Sequence, residues 1–215
     1  MVTDHMKYAS LAQQVEHLAV NQGVGGSIPS GRAKHNLCYK KLNKKECYMS
    51  FIQNLQHDDS DNAYYGNVHL NLFNQDCQIL IEDGASVEYA ERCVDHFNHI
   101  DQSTIDKLLE RLYKYYQFML KECGQECIED SLKEFAHCKT VHNVTQHNIL
   151  QYVKMKMMVI EKPKQDIAAY SISGDCAWEP EHGVEIIING DNLLYVGEFS
   201  GNGPWRSSKS YICVF

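Results

Sequence analysis

The sequence predicts an α+β domain, in which an N-terminal β-hairpin, central helices and C-terminal antiparallel strands form one sheet packed on the helices. Three observations predict this fold class. Apolar residues alternate with polar ones before residue 82, recur at helical spacing between residues 86 and 124, and alternate again after residue 156. Of the 215 residues, 44% are hydrophobic and 22% are charged, which is a globular composition.

The first strand pair surrounds a polar turn, Asn74-Gln75-Asp76. Apolar side chains occupy every second position on both sides of this turn, as in half-buried strands. They are Val68, Leu70 and Leu72 before the turn and Cys77, Ile79 and Ile81 after it. A β-hairpin is therefore expected here, and Asp83-Gly84 ends it.

Two amphipathic helices follow the hairpin. Ser86 is a suitable N-cap for the first helix. Either Asp101 or Ser103 begins the second, and Ser103 with Asp106 fits a capping box. Each helix has one apolar stripe: Val87, Ala90, Val94, Phe97 and Ile100 in the first, and Ile105, Leu108, Leu109, Leu112, Tyr116 and Met119 in the second. Weaker patterns predict short helices over 126–137 and 146–153.

The last third of the chain returns to strand patterns. Asn189-Gly190-Asp191 is a hairpin signal, because an Asn-Gly pair readily adopts the backbone angles of a tight turn. Alternating apolar residues predict strands on both sides of this turn and on either side of Pro163. The predicted strands cover 156–160, 167–173, 183–188, 193–199 and 211–215.

The first 48 residues differ from the rest in charge and pattern. Residues 9–34 resemble a conceptual translation of a transfer-RNA gene, since residues 11–17, 19–21 and 25–29 can be back-translated to a D arm, an asparagine anticodon and a T arm. We expect residues 1–48 to be a poorly ordered, non-native extension from a mis-assigned start, with Met49 as the true start. The alternative is a genuine N-terminal helix over 10–20. A polar lead-in over 49–62 would then precede a single α+β domain over 63–215.

Charge and cysteine content restrict the function of residues 49–215. They carry 13 Lys/Arg and 25 Asp/Glu residues, a formal net charge of −12. Such a charge repels nucleic acid and attracts basic partners. No apolar run reaches the length of about 18 residues that a membrane span needs. Without a secretory signal, the nine cysteines are expected to be reduced thiols in the cytoplasm.

The densest cluster of reactive side chains is Asp175-Cys176-Ala177-Trp178-Glu179-Pro180-Glu181-His182-Gly183. We call residues 175–183 the Trp-Glu loop, and it lies between two predicted strands, where binding sites are often found. Three roles are open for this loop: a purely structural turn, a partner-binding surface, and a metal or acid–base site. The candidate binding residues are Asp175, Cys176, Trp178, Glu179, Glu181 and His182, with no catalytic residue and no metal ligand assigned.

The same residues carry a resemblance. The Trp-Glu loop, followed by Leu194-Tyr195-Val196-Gly197-Glu198-Phe199, resembles the C-terminal part of a family of bacterial domains of unknown function, and residues 89–98 are similar to the middle of that family. The likeness covers about residues 63–200. It implies a small α+β domain, and it brings no catalytic residue to this chain.

Two further clusters contain side chains that can bind a metal. His96 and His99 lie three residues apart at the end of a predicted helix, where histidines more often cap carbonyl groups. Cys123 and Cys127 could combine with other ligands, although their spacing matches no Cys-x-x-Cys knuckle; those ligands are His137, Cys138, His142 and His147. The sequence has no phosphate loop, dinucleotide fingerprint or nucleophile elbow, so no cofactor is predicted.

These observations favour a non-catalytic protein-binding module of the bacterial cytoplasm, of the immunity or antitoxin type, with a basic protein partner. Two alternatives remain open. One is a structural accessory domain without independent activity. The other is a small metal-dependent hydrolase that uses Glu181 and His182 of the Trp-Glu loop, with Cys176 as an additional candidate.

Overall fold

A computed structural model describes residues 50–135, 144–207 and 211, which belong to one compact unit, Cys47–Phe215. Within them, seven strands form one sheet and three α-helices pack against it, which confirms the α+β class. The strands are β1 (Gln53–Asp58), β2 (Ala63–Leu70), β3 (Gln75–Ile81), β4 (Val153–Ile160), β5 (Ala169–Cys176), β6 (Glu179–Asn189) and β7 (Asn192–Gly197). The helices are α1 (Val87–Asn98), α2 (Gln102–Cys123) and α3 (Gln125–Phe135).

The strands follow one another across the sheet in chain order. Neighbouring strands are antiparallel except β3 and β4, which pair in parallel, with Ile79 opposite Met158 and Ile81 opposite Ile160. The predicted antiparallel sheet is therefore interrupted once. The reason is the connection, because the three helices lie between β3 and β4 and return the chain to the end of the sheet where β3 began.

The helix-covered face of the sheet forms the core. Cross-strand partners project to the same face, and one row of partners crosses six strands from β2 to β7. Every residue in that row is buried: Gly66, Ile79, Met158, Ile172, Ile186 and Val196. From the helices, Ala90, Val94, Phe97, Leu108 and Leu112 are fully or almost fully buried in the same cluster. The core thus joins the N-terminal hairpin to the C-terminal strands.

The helix starts follow the predicted caps. The Ser86 hydroxyl accepts the Tyr89 amide at the start of α1. Asp101, rather than Ser103, caps α2, and its carboxylate accepts the Thr104 amide. In α2 the most buried tyrosine is Tyr115, which is 2% exposed, whereas the predicted core residue Tyr116 is only partly buried. The expected helix over 146–153 is a short 3-10 turn, Ile149–Tyr152.

Strand β1 was predicted to be part of a polar lead-in, and this was wrong. All six of its residues are exposed, so it lacks the alternation that identifies a strand with one buried face. A bulge at Asn54, which has a φ of +53°, interrupts its pairing with β2. The predictions for residues 1–48, for the last two residues of the helix over 126–137 and for residues 212–215 of the strand over 211–215 lie outside the described residues, and Tyr211 is not in a strand.

Among the residues that the structure describes, the opposite face of the sheet is covered at its C-terminal end. There the segment after β7 crosses the strands and is held by polar contacts. The buried Glu185 carboxylate accepts the Ser200 amide at 2.9 Å and also the Ser200 hydroxyl, and Asn189 donates to the Pro204 carbonyl. Burial raises the pKa of Glu185, although its hydrogen bonds from Ser200 oppose this shift.

Candidate functional site

The Trp-Glu loop forms the corner between β5 and β6. Cys176 pairs with Glu179 across this corner, so residues 177–178 make the turn. The predicted strand from residue 183 therefore begins earlier, at Glu179. The loop lies against α2, whose Tyr115 hydroxyl donates to the Gly183 carbonyl at 3.2 Å. The sequence prediction thus located a real structural feature, a hairpin corner anchored to a helix.

Two of the predicted binding residues are inside the protein. Cys176 and Trp178 are each 1% exposed, and the Trp178 ring meets Tyr115 and Tyr116 edge-on at centroid distances of 5.9 and 6.1 Å. Among the described residues, the indole N–H of Trp178 has no hydrogen-bond partner. Neither side chain can touch a partner that docks on this surface, so their contribution is to hold the loop.

The Glu179 carboxylate organises the rest of the loop. One of its oxygens accepts the Glu181 amide at 3.1 Å and the His182 amide at 3.2 Å. The side chain is only 12% exposed, and His182 Nδ1 lies 3.4 Å from the same oxygen. Glu179 is therefore a structural acceptor for two backbone N–H groups. Among the predicted binding residues, Asp175, Glu181 and His182 remain at the surface.

The chemistry of the loop does not match a nucleophile or an acid–base pair. Burial raises the pKa of the Cys176 thiol, so the thiol stays protonated at neutral pH. Its sulfur donates to the Glu179 carbonyl. Asp175 forms an ion pair of 2.6 Å with Lys156 of β4, the neighbour of β5 that lies away from β6. The convergence of Cys176, Glu181 and His182 that the hydrolase alternative requires is not present.

The other predicted clusters are separated by the fold. His96 Nδ1 lies 2.8 Å from the buried Tyr170 hydroxyl, whereas His99 Nδ1 contacts the Asp95 carbonyl at 2.8 Å, one turn back along α1. Cys123 and Cys127 are exposed thiols. Within 50–135 and 144–207, no three His, Cys, Asp or Glu side chains are grouped to hold a metal. Three of the proposed ligands, His137, Cys138 and His142, lie outside the described residues.

One groove, of about 430 Å³, lies beside the start of α1. It contains an Arg92–Asp166 ion pair of 2.8 Å, and the Arg92 guanidinium also lies over the Tyr89 ring, 5.5 Å from its centroid. The arginine is therefore already engaged by a carboxylate and an aromatic ring of the groove itself. Its lining consists of Gly84, Ser86, Tyr89, Arg92, Pro163, Lys164, Gln165 and Asp166.

The acidic turn between β1 and β2 is a feature that sequence reasoning missed as a site. Asp58 accepts the amide and hydroxyl of Ser60, and these hydrogen bonds lower its pKa. Asp59 contacts His57, and Asp61 accepts the Tyr65 hydroxyl at 3.4 Å. In the described part of the chain, none of these three carboxylates pairs with a Lys or Arg. The signal in the sequence is the run His57-Asp58-Asp59-Ser60-Asp61, which the pattern alone places in the polar lead-in over 49–62.

These features define an α+β domain with an anchored hairpin corner, an acidic turn and an exposed first strand. The family model of the domain of unknown function DUF6985 matches residues 51–203, which is more than half of the chain. The chain belongs to this family. No curated protein and no solved structure matches it. None of the described helices has the length and apolar content needed to cross a membrane.

Proposed function

We propose that this domain is a non-catalytic protein-binding module of the bacterial cytoplasm, of the immunity or antitoxin type, and that its partner is a basic protein. The observation that carries the proposal is the acidic turn after β1. Its three carboxylates are exposed and lack a Lys or Arg partner among the described contacts. They belong to a region, residues 49–215, with a formal net charge of −12.

The physical reason is electrostatic. Exposed carboxylates without local counter-charges leave a negative potential that accelerates the approach of a positively charged partner. Immunity proteins that neutralise basic enzymes such as nucleases depend on this kind of complementarity. The surface residues Asp175, Glu181 and His182 of the Trp-Glu loop add to the candidate surface, while Cys176, Trp178 and Glu179 support it from inside.

The test begins with affinity capture by the full chain from lysate of the source bacterium, at low and moderate salt. A captured basic protein is then purified and titrated by calorimetry against the wild type and Asp59→Lys. The matched control is Glu126→Lys, which makes the same charge change on α3. We expect salt and Asp59→Lys to weaken binding, and the α3 control to have little effect. A partner that is acidic, or binding that is indifferent to salt, would contradict the proposal.

The accessory-domain alternative is favoured by one specific observation, the burial of Cys176 and Trp178 in the Trp-Glu loop. The resemblance to the family is carried by residues whose role here is packing. If the domain only supports other parts of a larger assembly, Trp178→Phe lowers stability and changes no binding equilibrium. The capture experiment described above separates the two functions, because an accessory domain yields no basic partner whose binding Asp59→Lys weakens.

A further inference from the structure

The two edge strands of the sheet, β1 and β7, differ in what packs against them among the described residues. At the β7 edge, Arg111 of α2 donates a hydrogen bond to the Leu193 carbonyl at 2.9 Å, and α2 packs along this strand. At the β1 edge, the strand pairs only with β2 among the described residues. The main-chain groups on the outer side of β1 therefore have no described partner, whereas native proteins usually cover such an edge.

The side chains of β1 leave that edge accessible. All six residues, Gln53–Asp58, are exposed. Two of the exposed large hydrophobic residues also lie here, Phe51 at 40% and Leu55 at 37%. Glu91 of α1 holds the start of the strand, since its carboxylate accepts the Phe51 amide at 2.8 Å and the Ile52 amide at 3.3 Å. Within the part of the chain that the structure describes, the strand is thus fixed at its first end and uncovered along its outer edge.

From this geometry we propose that a basic, extended segment of the partner protein binds as an added strand along β1. We call this surface the acidic edge and define it as Gln53–Asp58 with Asp59 and Asp61. Main-chain hydrogen bonds to β1 would provide the affinity, as in other cases of strand addition. The inference rests on the proposed protein-binding function and names the surface that performs it.

Charge complementarity favours a basic segment of a partner protein as the occupant of the acidic edge. A strand that carries Lys or Arg would bring its charges to Asp58, Asp59 and Asp61, which have no Lys or Arg partner among the described residues. A second copy of this chain would instead add further carboxylates to the same edge, and charged residues at an edge oppose self-association. The bulge at Asn54 shifts the register between Gln53 and Gln56, so the regular pairing is expected along Gln56–Asp58, next to the acids.

The acidic edge can be tested with a defined probe, a short capped peptide of alternating lysine and valine, added to the ¹⁵N-labelled full chain. We expect saturable binding, amide shifts centred on Gln53–Asp58 and slower hydrogen exchange there. The control peptide has the same sequence with alternate amides N-methylated, which removes main-chain donors and keeps the charge. Because each lost hydrogen bond contributes about 1 kcal/mol, or about fivefold in affinity, the loss of two main-chain bonds should weaken binding of this control more than about tenfold.

The contribution of charge is tested separately. Changing Asp58, Asp59 and Asp61 together to Asn should weaken binding of the lysine peptide about five- to twelvefold, since exposed ion pairs contribute about 0.3–0.5 kcal/mol each. Asn keeps the side-chain oxygen that accepts the Ser60 amide. The matched control makes the same charge change on and next to α3, with Glu122→Gln, Glu126→Gln and Asp130→Asn, and should leave binding unchanged.

Several results would overturn the proposal. These are an absence of shifts in Gln53–Asp58, equal binding of the N-methylated peptide, an equal effect of the α3 control, or a free chain that already pairs through β1 as a dimer. The two proposals fail in different ways. If a captured basic partner protects the Trp-Glu loop and leaves β1 unprotected, the acidic edge is wrong and the protein-binding function stands. If the peptide binds β1 and no basic partner is captured, the acidic edge stands and the proposed function with a basic partner is wrong.

Discussion

Replacing Gly183 with alanine should destabilise the domain far more than an ordinary glycine substitution. Gly183 has a φ of +67°, and a Cβ there would lie 2.2 Å from the Gly174 carbonyl oxygen. Gly174 has no room to move away, because it is packed against β4 on its other side. A Cβ on Gly174 would lie only 2.1 Å from the Lys154 carbonyl oxygen. The three strands therefore meet here through backbone alone.

The matched control is Gly190→Ala in the β6–β7 turn. Gly190 also has a positive φ, +56°, but the nearest atom to its Cβ would be Ile167 Cδ1 at 3.9 Å. In both variants the positive φ strains the alanine backbone, which costs of order 1–3 kcal/mol. Only Gly183→Ala must also move β5 and β6 apart by about 1 Å, which breaks about two ladder hydrogen bonds of about 1 kcal/mol each.

The expected difference between the two variants is therefore at least about 2 kcal/mol in the free energy of unfolding. For a domain of this size it corresponds to a melting temperature about 4–8 °C lower for Gly183→Ala than for Gly190→Ala. Urea unfolding followed by circular dichroism measures the free energy, and thermal melts measure the temperature. Equal losses in the two variants would refute the close approach of β5 and β6 as the reason for this glycine.

Three further predictions concern individual side chains. Glu179→Ala should lower the free energy of unfolding by about 2 kcal/mol, because two loop amides lose their acceptor, whereas Glu179→Gln keeps an oxygen and should lose less; urea titrations of the two variants compare them. Alkylation of the native chain followed by peptide mapping should modify Cys123 and Cys127 before the buried Cys176, and modification of Cys176 at the same rate would contradict its burial. Hydrogen bonds from Ser103 and Thr104 lower the pKa of Asp101 to about 2, so its stabilising effect is present above the unfolded value of 3.8 and is lost as the pH falls toward 2. Stability measured against pH should therefore decline less steeply in that range for Asp101→Asn, and an unchanged profile would contradict the cap.

Much of the fold could be predicted from local patterns. The alternation of Val68, Leu70, Cys77, Ile79 and Ile81 located β2 and β3, because one face of each strand is buried and the other is not. Ser86 located the start of α1 for a chemical reason, since a hydroxyl before the first turn can accept an otherwise unpaired amide. These predictions depend only on neighbouring residues, which is why they were confirmed.

The features that local patterns missed depend on distant parts of the chain. Strand β1 has no buried face, so its composition is that of a loop, and only its pairing with β2 makes it a strand. The burial of Tyr115 instead of Tyr116 depends on where Trp178 meets α2, 63 positions further along the chain. The choice of Asp101 over Ser103 as cap was open because both residues offer a suitable oxygen.

At the candidate site, too, some features follow from local sequence and others depend on distant contacts. The composition of the Trp-Glu loop indicated that residues 175–183 are special, and the structure explains this by close packing: Trp178 lies under α2, Glu179 binds two amides, and Gly183 allows β5 and β6 to touch. By itself, the sequence determined the fold class, the acidic charge and the positions of most strands and helices, because these follow from residue types and short-range periodicity. Only the tertiary structure decided which carboxylates are buried as structural acceptors and which face outward without a counter-charge from the described residues, because burial is a property of the contacts between elements.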